Sequence, residues 1–366
     1  MYSVVISGAS GAIGQKFTDY LLSSAYPALR IILLSSSNAG FARLKSRYDH
    51  IEKMEVVSSL TDCRDMLLGH KLFINFSFVS QGLPWERIRK NRSLAKAYSS
   101  FAIANKFDNF VEVSSQSVFG FALADDVDCD ASPSLFAEEY GLTKLAAEEE
   151  IQRRLSHSSC HYSIVRLGNV LFEESGPFSQ RLIEMLFYPE IVQQIRSNAG
   201  FLNATLLENT IPALAYVLYN RESYASGSIF HFSEASHLRW DLILEVLMRT
   251  LDGYEFCAGS SVERQQGFSL VRILRSRGLG PLYNLISYLP TQKMDTSLTR
   301  LYRNSRTSSQ GNVQVFDESA LLAYQERHRF FPNFPMGFRY EVPLCELETR
   351  LEEMYQKLAY KCLSYT

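Results

Sequence analysis

Along the first half of the chain, short runs of apolar, β-branched and aromatic residues alternate with stretches whose apolar positions recur every three or four residues. The short runs cover residues 3–7, 30–34, 54–57, 72–76, 110–114 and 162–166. Most are apolar without alternation, as strands covered on both faces are. Between them, residues 15–23, 92–105 and 138–155 have helical spacing. Repetition of strand, helix and strand predicts parallel strands joined by crossover helices, and therefore an α/β fold with a doubly wound, Rossmann-like parallel sheet.

After about Gly168 the rhythm loosens, and the chain is expected to shuttle between this sheet and a smaller mixed C-terminal lobe. That places one domain at residues 1–170 and a second, mainly separate lobe at 171–366, with segments returning to the sheet. Residues 229–232 read as a late strand and 240–251 as an amphipathic helix. Residues 259–316 mix Ser, Arg, Gln and Gly with an apolar-basic stretch, the pattern of a lid or an insertion. Leu344, Leu347, Leu351, Met354 and Leu358 give a closing helix one apolar face.

Composition narrows the class. With 366 residues and 46% hydrophobic content, the chain can bury a substantial core. A formal net charge of -2 supplies no basic field for nucleic acid or an anionic membrane, so any anion site is local. No segment approaches the roughly 18 to 20 consecutive apolar residues of a spanning helix, and stable membrane insertion is not expected. The start shows no basic leader or cleavage site, so a cytoplasmic protein is expected. The six cysteines form no C-x-x-C pair and read as ordinary thiols.

The candidate chemistry begins at Gly8-Ala-Ser-Gly11-Ala-Ile-Gly14, between the first strand and the first helix. A dinucleotide pyrophosphate meets a helix N-terminus there, and glycines admit the tight turn and the close approach of backbone N–H groups. At the end of the second strand, where a carboxylate would bind an adenosine ribose, the residues are Ser35-Ser-Ser-Asn38 with Arg43 nearby. Hydroxyls and an arginine suit a 2′-phosphate better than an acid would, favouring NADP over NAD; a plain solvated serine loop is the other reading.

Tyr140-Gly-Leu-Thr-Lys144 opens a helical stretch, and the i, i+4 spacing sets both side chains on one face. An ammonium beside a phenol favours the phenolate, which could exchange a proton with a substrate hydroxyl while hydride moves to or from a nicotinamide. Residues 110–120 supply a buried strand ending in hydroxyls at the carboxyl edge of the sheet, where Ser115 could orient the reacting hydroxyl or carbonyl.

Taken in order, G-x-x-G-x-x-G, S-S-x-x-V-F-G and Y-x-x-x-K resemble the extended short-chain dehydrogenase/reductases, in the epimerase/dehydratase branch that modifies nucleotide sugars. The separation of Ser115 and Tyr140 is similar to that family's. Asn91 at the start of the helix before the serine strand, Arg166-Leu-Gly-Asn169-Val and Gly337-Phe338 match as well, although the likeness is dense only to about residue 172. The resemblance implies that Tyr140 is the acid/base, that Lys144 lowers its pKa and binds the nicotinamide ribose, and that Ser115 positions substrate. It implies a cofactor, NADP or NAD, held by Gly8, Ser10, Gly11, Ile13, Gly14, Ser35, Ser36, Asp62 and Lys144. It further implies a nucleotide-sugar substrate met by Ser115, Gln116 and Asn169, no metal, and a homodimer. The implied reaction is epimerisation through a transient ketone or reduction of a keto-sugar. A reductase of a non-sugar carbonyl and a non-catalytic dinucleotide sensor or scaffold are the rivals.

Departures from the family pattern are also visible. Ser59 stands where an adenine-contacting aspartate is usual, with Asp62 close behind; Asn75-Phe-Ser-Phe-Val79 replaces a run of small residues; and Gln116-Ser117 replaces the acidic pair used for dehydration. His231 and His237 read as structural, and residues 125–130 as a solvated acidic loop. One of Arg264, Arg272, Arg275 and Arg277 is expected to grip the substrate diphosphate.

Overall fold

The computed structural model describes residues 2–24, 26, 29–120, 126–127, 132–133, 137, 139–171, 200–233, 239–251, 329–330, 349, 352–353 and 356. His237, the four arginines of residues 264–277, Gly337-Phe338 and the apolar face of the closing helix lie outside them.

Seven parallel strands form the central sheet: β1 (Tyr2–Ser7), β2 (Leu29–Leu34), β3 (Met54–Val57), β4 (His70–Asn75), β5 (Asn109–Ser115), β7 (His161–Leu167) and β10 (Ser228–Phe232). Their order is β10-β7-β5-β4-β1-β2-β3. From β1 the chain runs outward through β2 to β3, then returns to lay β4 on the other side of β1. This reversal opens a crevice at the carboxyl ends of β1 and β4, the place where open α/β sheets bind ligands. The fold is the expected Rossmann-like one.

Strand alternation sorts the side chains onto two faces. Val4, Ile6, Leu33, Val111, Val113 and Val165 pack with Phe17 and Leu21 of α1 (Ala12–Ser23) and with Ile211 and Leu214 of α6 (Leu207–Tyr219). Val5, Ile32, Phe73, Phe110 and Tyr162 face the other way, against α4 (Pro84–Ala104) and α5 (Glu139–Leu155). Both faces are covered, which explains the unbroken apolar runs.

Some elements differ from the sequence-based expectation. Helix α4 starts at Pro84, eight residues before the expected start, because a proline at the first helical position lacks only an amide that would have no partner. The Glu86 carboxylate accepts from Leu83 N at 3.2 Å and completes the cap. Asn91 therefore lies inside the helix, one to two turns along. Helix α2 (Asn38–Tyr48) and α3 (Leu60–Asp65), unrecognised in the sequence, are capped by Ser37 and Ser59. Helix α6 escaped the periodicity because it is buried over most of its length, polar Asn209 and Thr210 included, and carries Pro212 inside it. The acidic run is not wholly loop: β6 (Asp126–Val127) pairs in parallel with β11 (Arg329–Phe330), and Val127 is buried beside Val118, Phe119 and Leu145.

His231 is fully buried on β10 with its ring edge-on to Phe119, a core position, and no metal-binding cluster occurs among the described residues. Cys63 and Cys160 are buried thiols, pushed up to about 12 by burial. No helix among the described residues is long and apolar enough to cross a membrane.

At the amino edge of the sheet, Asn109 ties three elements together. Its Nδ2 lies within hydrogen-bond distance of Val217 O, Leu218 O and Tyr224 Oη, at 3.1, 2.9 and 3.0 Å, while His161 Nδ1 meets its Oδ1 at 3.3 Å. Asn109→Ala removes the side-chain donor to Leu218 O and one of two donors to Val217 O, which keeps the Tyr224 hydroxyl at 2.6 Å, and is expected to destabilise the fold by about 2 kcal/mol. Urea unfolding should show a lower midpoint at unchanged slope; a change within about 0.5 kcal/mol, the range of neutral surface substitutions, would contradict the role.

Candidate active site

The glycine loop sits at one lip of the crevice. Gly8 has φ +70, and a Cβ there would lie 2.6 Å from both Phe76 C and Ser77 N, so the loop after β1 and the loop after β4 touch backbone to backbone. A Cβ on Gly14 would come within 2.5 Å of Gly8 O. These contacts press α1 onto the turn. Gly11 is the helix N-cap and makes no side-chain capping bond, and no acidic residue occupies the first turn. Its amides are thus open to an anion, aided by the helix dipole.

Ser10 closes the loop towards β2. A Cβ on Gly40 would meet Ser35 Oγ, Ser37 Oγ and Ser10 Oγ at 2.4, 2.7 and 2.8 Å, so three hydroxyls converge at the start of α2. Arg43 Nη1 donates to Ser10 O at 3.4 Å, bringing a guanidinium to the same corner. Ser35 is buried and Ser36 exposed, while Ile13 is partly buried against the core. Asp62 is exposed on the first turn of α3, beyond the edge strand β3, with its amide donating to Ser59 Oγ.

On the other lip stand the serines after β5. Ser115 is 8% exposed, and its Oγ accepts from Ser117 N at 3.2 Å and pairs with Ser117 Oγ at 2.9 Å. Residues 116–119 then wind into a short 3₁₀ turn that docks on the start of α5. Gly141 is required there: a Cβ would lie 2.1 Å from Ser117 O. The glycine inside the Tyr-Gly-Leu-Thr-Lys run is what lets the helix bearing Tyr140 approach the turn bearing Ser115.

Tyr140, Lys144 and Glu148 follow one another at helical spacing along α5. Tyr140 is 44% exposed, its ring edge-on to Phe78 at 5.1 Å between centroids. Lys144 is 7% exposed; its Nζ donates to Val113 O at 3.0 Å and lies 5.3 Å from the centre of the Phe78 ring. Glu148 is buried against Arg166 of β7 at 2.8 Å and accepts a short hydrogen bond from Ser114 Oγ.

Beneath the lysine lies a polar band on the same face of the sheet. Register sets Ser7 beside Asn75 and Asn75 beside Glu112. Ser7 Oγ donates to Asn75 Oδ1 at 2.5 Å, and Asn75 Nδ2 donates to Glu112 Oε2 at 2.7 Å. Burial pushes the Glu112 carboxyl up to about 7, while the Lys144 charge and the Asn75 hydrogen bond pull it down and Glu148 pushes it up.

Gln116 is 5% exposed, and neither polar atom of its carboxamide has a partner. It lies against Gly168, at whose Cβ position Gln116 Oε1 would be 3.2 Å away. Asn169, by contrast, is exposed on β8 (Asn169–Leu171), its Nδ2 3.5 Å from Asn203 O. The crevice thus combines a glycine cradle, a hydroxyl corner, an orphaned buried amide and the tyrosine-lysine pair. Glu112, Glu148 and the Phe78 contact escaped sequence reasoning. An acid inside the otherwise apolar strand β5 was the signal for Glu112; the helical repeat through residues 140, 144 and 148 was the signal for Glu148.

The family model described as NAD dependent epimerase/dehydratase family matches residues 4–209, more than half of the chain. No curated protein matches the sequence. Among solved structures, a UDP-glucuronic acid 4-epimerase from Bacillus cereus in complex with NAD is similar, with TM-score 0.54 and 15% identity over 68% of this chain and 83% of that one. A UDP-N-acetylglucosamine 4-epimerase from the same organism has TM-score 0.53 and 13% identity over 69% and 86%. A short-chain dehydrogenase/reductase superfamily protein from Agrobacterium tumefaciens with bound NAD has TM-score 0.52 and 15% identity over 68% and 83%.

Because Glu112 holds its proton more tightly folded than at the ordinary value of 4.5, the native state binds the extra proton between that value and about 7. Its contribution to stability therefore falls as pH rises through that window. Glu112→Gln removes the term, so the stability difference between variant and wild type should shift towards the variant by on the order of 2 kcal/mol from pH about 5 to about 8. Thermal or urea unfolding at the two pH values measures it. A pH-independent difference would show that Glu112 does not titrate there.

Proposed function

The chain belongs to the NAD-dependent epimerase/dehydratase family and is an enzyme of that oxidoreductase/epimerase kind; from this premise we propose that Tyr140, Lys144 and Ser115 support oxidation of a carbinol of a nucleotide sugar, or reduction of the corresponding ketone, by a nicotinamide cofactor. The observation that carries the reading is the placement of the tyrosine-lysine pair on α5 across the crevice from the glycine loop. Bound there, a nicotinamide dinucleotide supplies hydride acceptance and donation. The open first turn of α1 takes its pyrophosphate, with Gly8, Gly11, Ile13 and Gly14 forming the cradle. We assign the adenosine end to Ser10, Ser35 and Ser36, and the adenine side to Asp62. The converging hydroxyls and Arg43 favour a 2′-phosphate, hence NADP over NAD.

Tyr140 exchanges the proton of the reacting hydroxyl, and its exposure leaves the phenol open to substrate. Lys144 holds positive charge behind it. Ser115 presents a hydroxyl already oriented by the 3₁₀ turn. Gln116 offers the substrate both a donor and an acceptor that have no partner among the described residues. Asn169 follows Gly168, the glycine against which Gln116 packs, and is assigned to the sugar or its diphosphate. Residues after 170 are assigned mainly to the substrate lobe, and the protein to a cytoplasmic homodimer. Two of the similar folds are UDP-sugar 4-epimerases, which supports a UDP-sugar as the first substrate class to test.

Incubation with UDP- and dTDP-sugars, while following absorbance of the reduced cofactor, separates the two reactions. A 4-epimerase converts sugar with no net change in cofactor, and a reductase consumes NADPH in proportion to product. On the substrate so found, Tyr140→Phe should lower kcat by about 10²- to 10⁴-fold with cofactor affinity unchanged. Retention of wild-type kcat would remove Tyr140 from the chemistry. Absence of UDP and dTDP binding by calorimetry would move the substrate to a non-sugar carbonyl.

A further inference from the structure

Phe78 lies in the loop after β4, where the run Asn75-Phe-Ser-Phe-Val79 carries aromatics instead of small residues. Its ring makes contact with both members of the catalytic pair, edge-on to Tyr140 at 5.1 Å and 5.3 Å from the Lys144 ammonium. Among the described residues Lys144 Nζ has one hydrogen-bond acceptor, Val113 O at 3.0 Å. An ammonium carries three donors, so two are left to a ligand. The ring that faces them accepts no conventional hydrogen bond.

The backbone around Phe78 is held at four points. Phe76 N donates to Ser7 O at 3.0 Å and Ser77 N to Asn75 Oδ1 at 3.0 Å. Asn91 accepts from Val79 N at 2.9 Å and donates to Val79 O at 3.0 Å. Gly8 presses on the backbone of Phe76 and Ser77 from the opposite lip. With the chain fixed on both sides, the side chain is the part able to move, by rotation about its own torsions.

We propose that Phe78 is a ligand-displaced side chain: its ring holds the space beside Tyr140 and Lys144 that the nicotinamide end of the cofactor takes on binding. The inference rests on the assignment of this crevice to a nicotinamide dinucleotide. Displacement breaks one aromatic edge contact and one cation–π contact, each worth little alone but together comparable to a tenfold change in an equilibrium. While the ring is in place the site is not competent to bind, and apparent affinity falls by the competent fraction. The ring therefore sets cofactor affinity against itself, while shielding the lysine from water until the dinucleotide arrives.

The test is calorimetric titration of the full chain with NADPH and with NADH, on wild type, Phe78→Ala, Phe78→Leu and Phe78→Trp. The expected order is Ala tightest, with Kd about tenfold below wild type, Leu between them, and Trp weakest. Leu keeps an apolar side chain in the loop and preserves the comparison where Ala fails to fold. The reverse order would mean that the ring stacks on the bound cofactor, and equal Kd values would mean that it lies outside the site; either overturns the proposal while leaving the dinucleotide assignment intact. Failure of wild type and every variant to bind either dinucleotide would overturn both.

Discussion

The ion pair between Glu148 and Arg166, almost completely buried at 2.8 Å, is the constraint on which the site depends. Breaking such a pair by removing one partner costs about 3–5 kcal/mol, because the remaining charge stays buried. Its position matters more than its energy. Arg166 belongs to β7 and is paired in register with Ser114 of β5, whose hydroxyl bonds the same carboxylate. Helix α5 is thus pinned to two strands at one height, and the helical repeat carries Lys144 and then Tyr140 up to the carboxyl edge. Gly141 completes the placement by letting the helix close on the serine turn.

Around that pin the sheet carries an unusual amount of polarity on one face. Ser7, Asn75, Glu112, Ser114 and Arg166 all lie on the side covered by α4 and α5, each with a hydrogen-bond partner. The band runs across the sheet just below the crevice. It links the loop after β4, through Asn75, to the strand that carries Ser115, through Glu112. A buried network of this kind favours one arrangement over near alternatives because any shift leaves polar atoms unsatisfied. The proposed displacement of Phe78 is accordingly confined to its side chain, since the backbone on either side is hydrogen-bonded.

Most of the sheet was legible in the sequence, since strands covered on both faces carry unbroken apolar runs, such as those at residues 4–6, 31–34 and 72–74. The tyrosine, the lysine and the glycine loop were singled out by their spacing, and the fold brings them to the carboxyl edge of one sheet. Less visible were elements whose signal is non-periodic. Helix α6 is buried over most of its length, α4 begins at a proline, and β6 hides one buried valine in an acidic run. Glu112 and Glu148 were missed for a different reason. A carboxylate in a sequence reads as surface, and only the register of three strands and a helix reveals that these two are enclosed. Gln116 was picked out by its place after Ser115, but that its amide is left without a partner depends on the packing of Gly168.

In the proposed site one anchored helix sets the tyrosine and lysine against a dinucleotide held by the glycine loop. A crystal structure of the full chain grown with NADP⁺ tests this arrangement most directly. The account predicts pyrophosphate at the first turn of α1, with the nicotinamide ribose within hydrogen-bond reach, about 3 Å, of both the Tyr140 hydroxyl and the Lys144 ammonium. A dinucleotide bound in any other cleft, or bound at the glycine loop with its ribose turned away from both side chains, would contradict it.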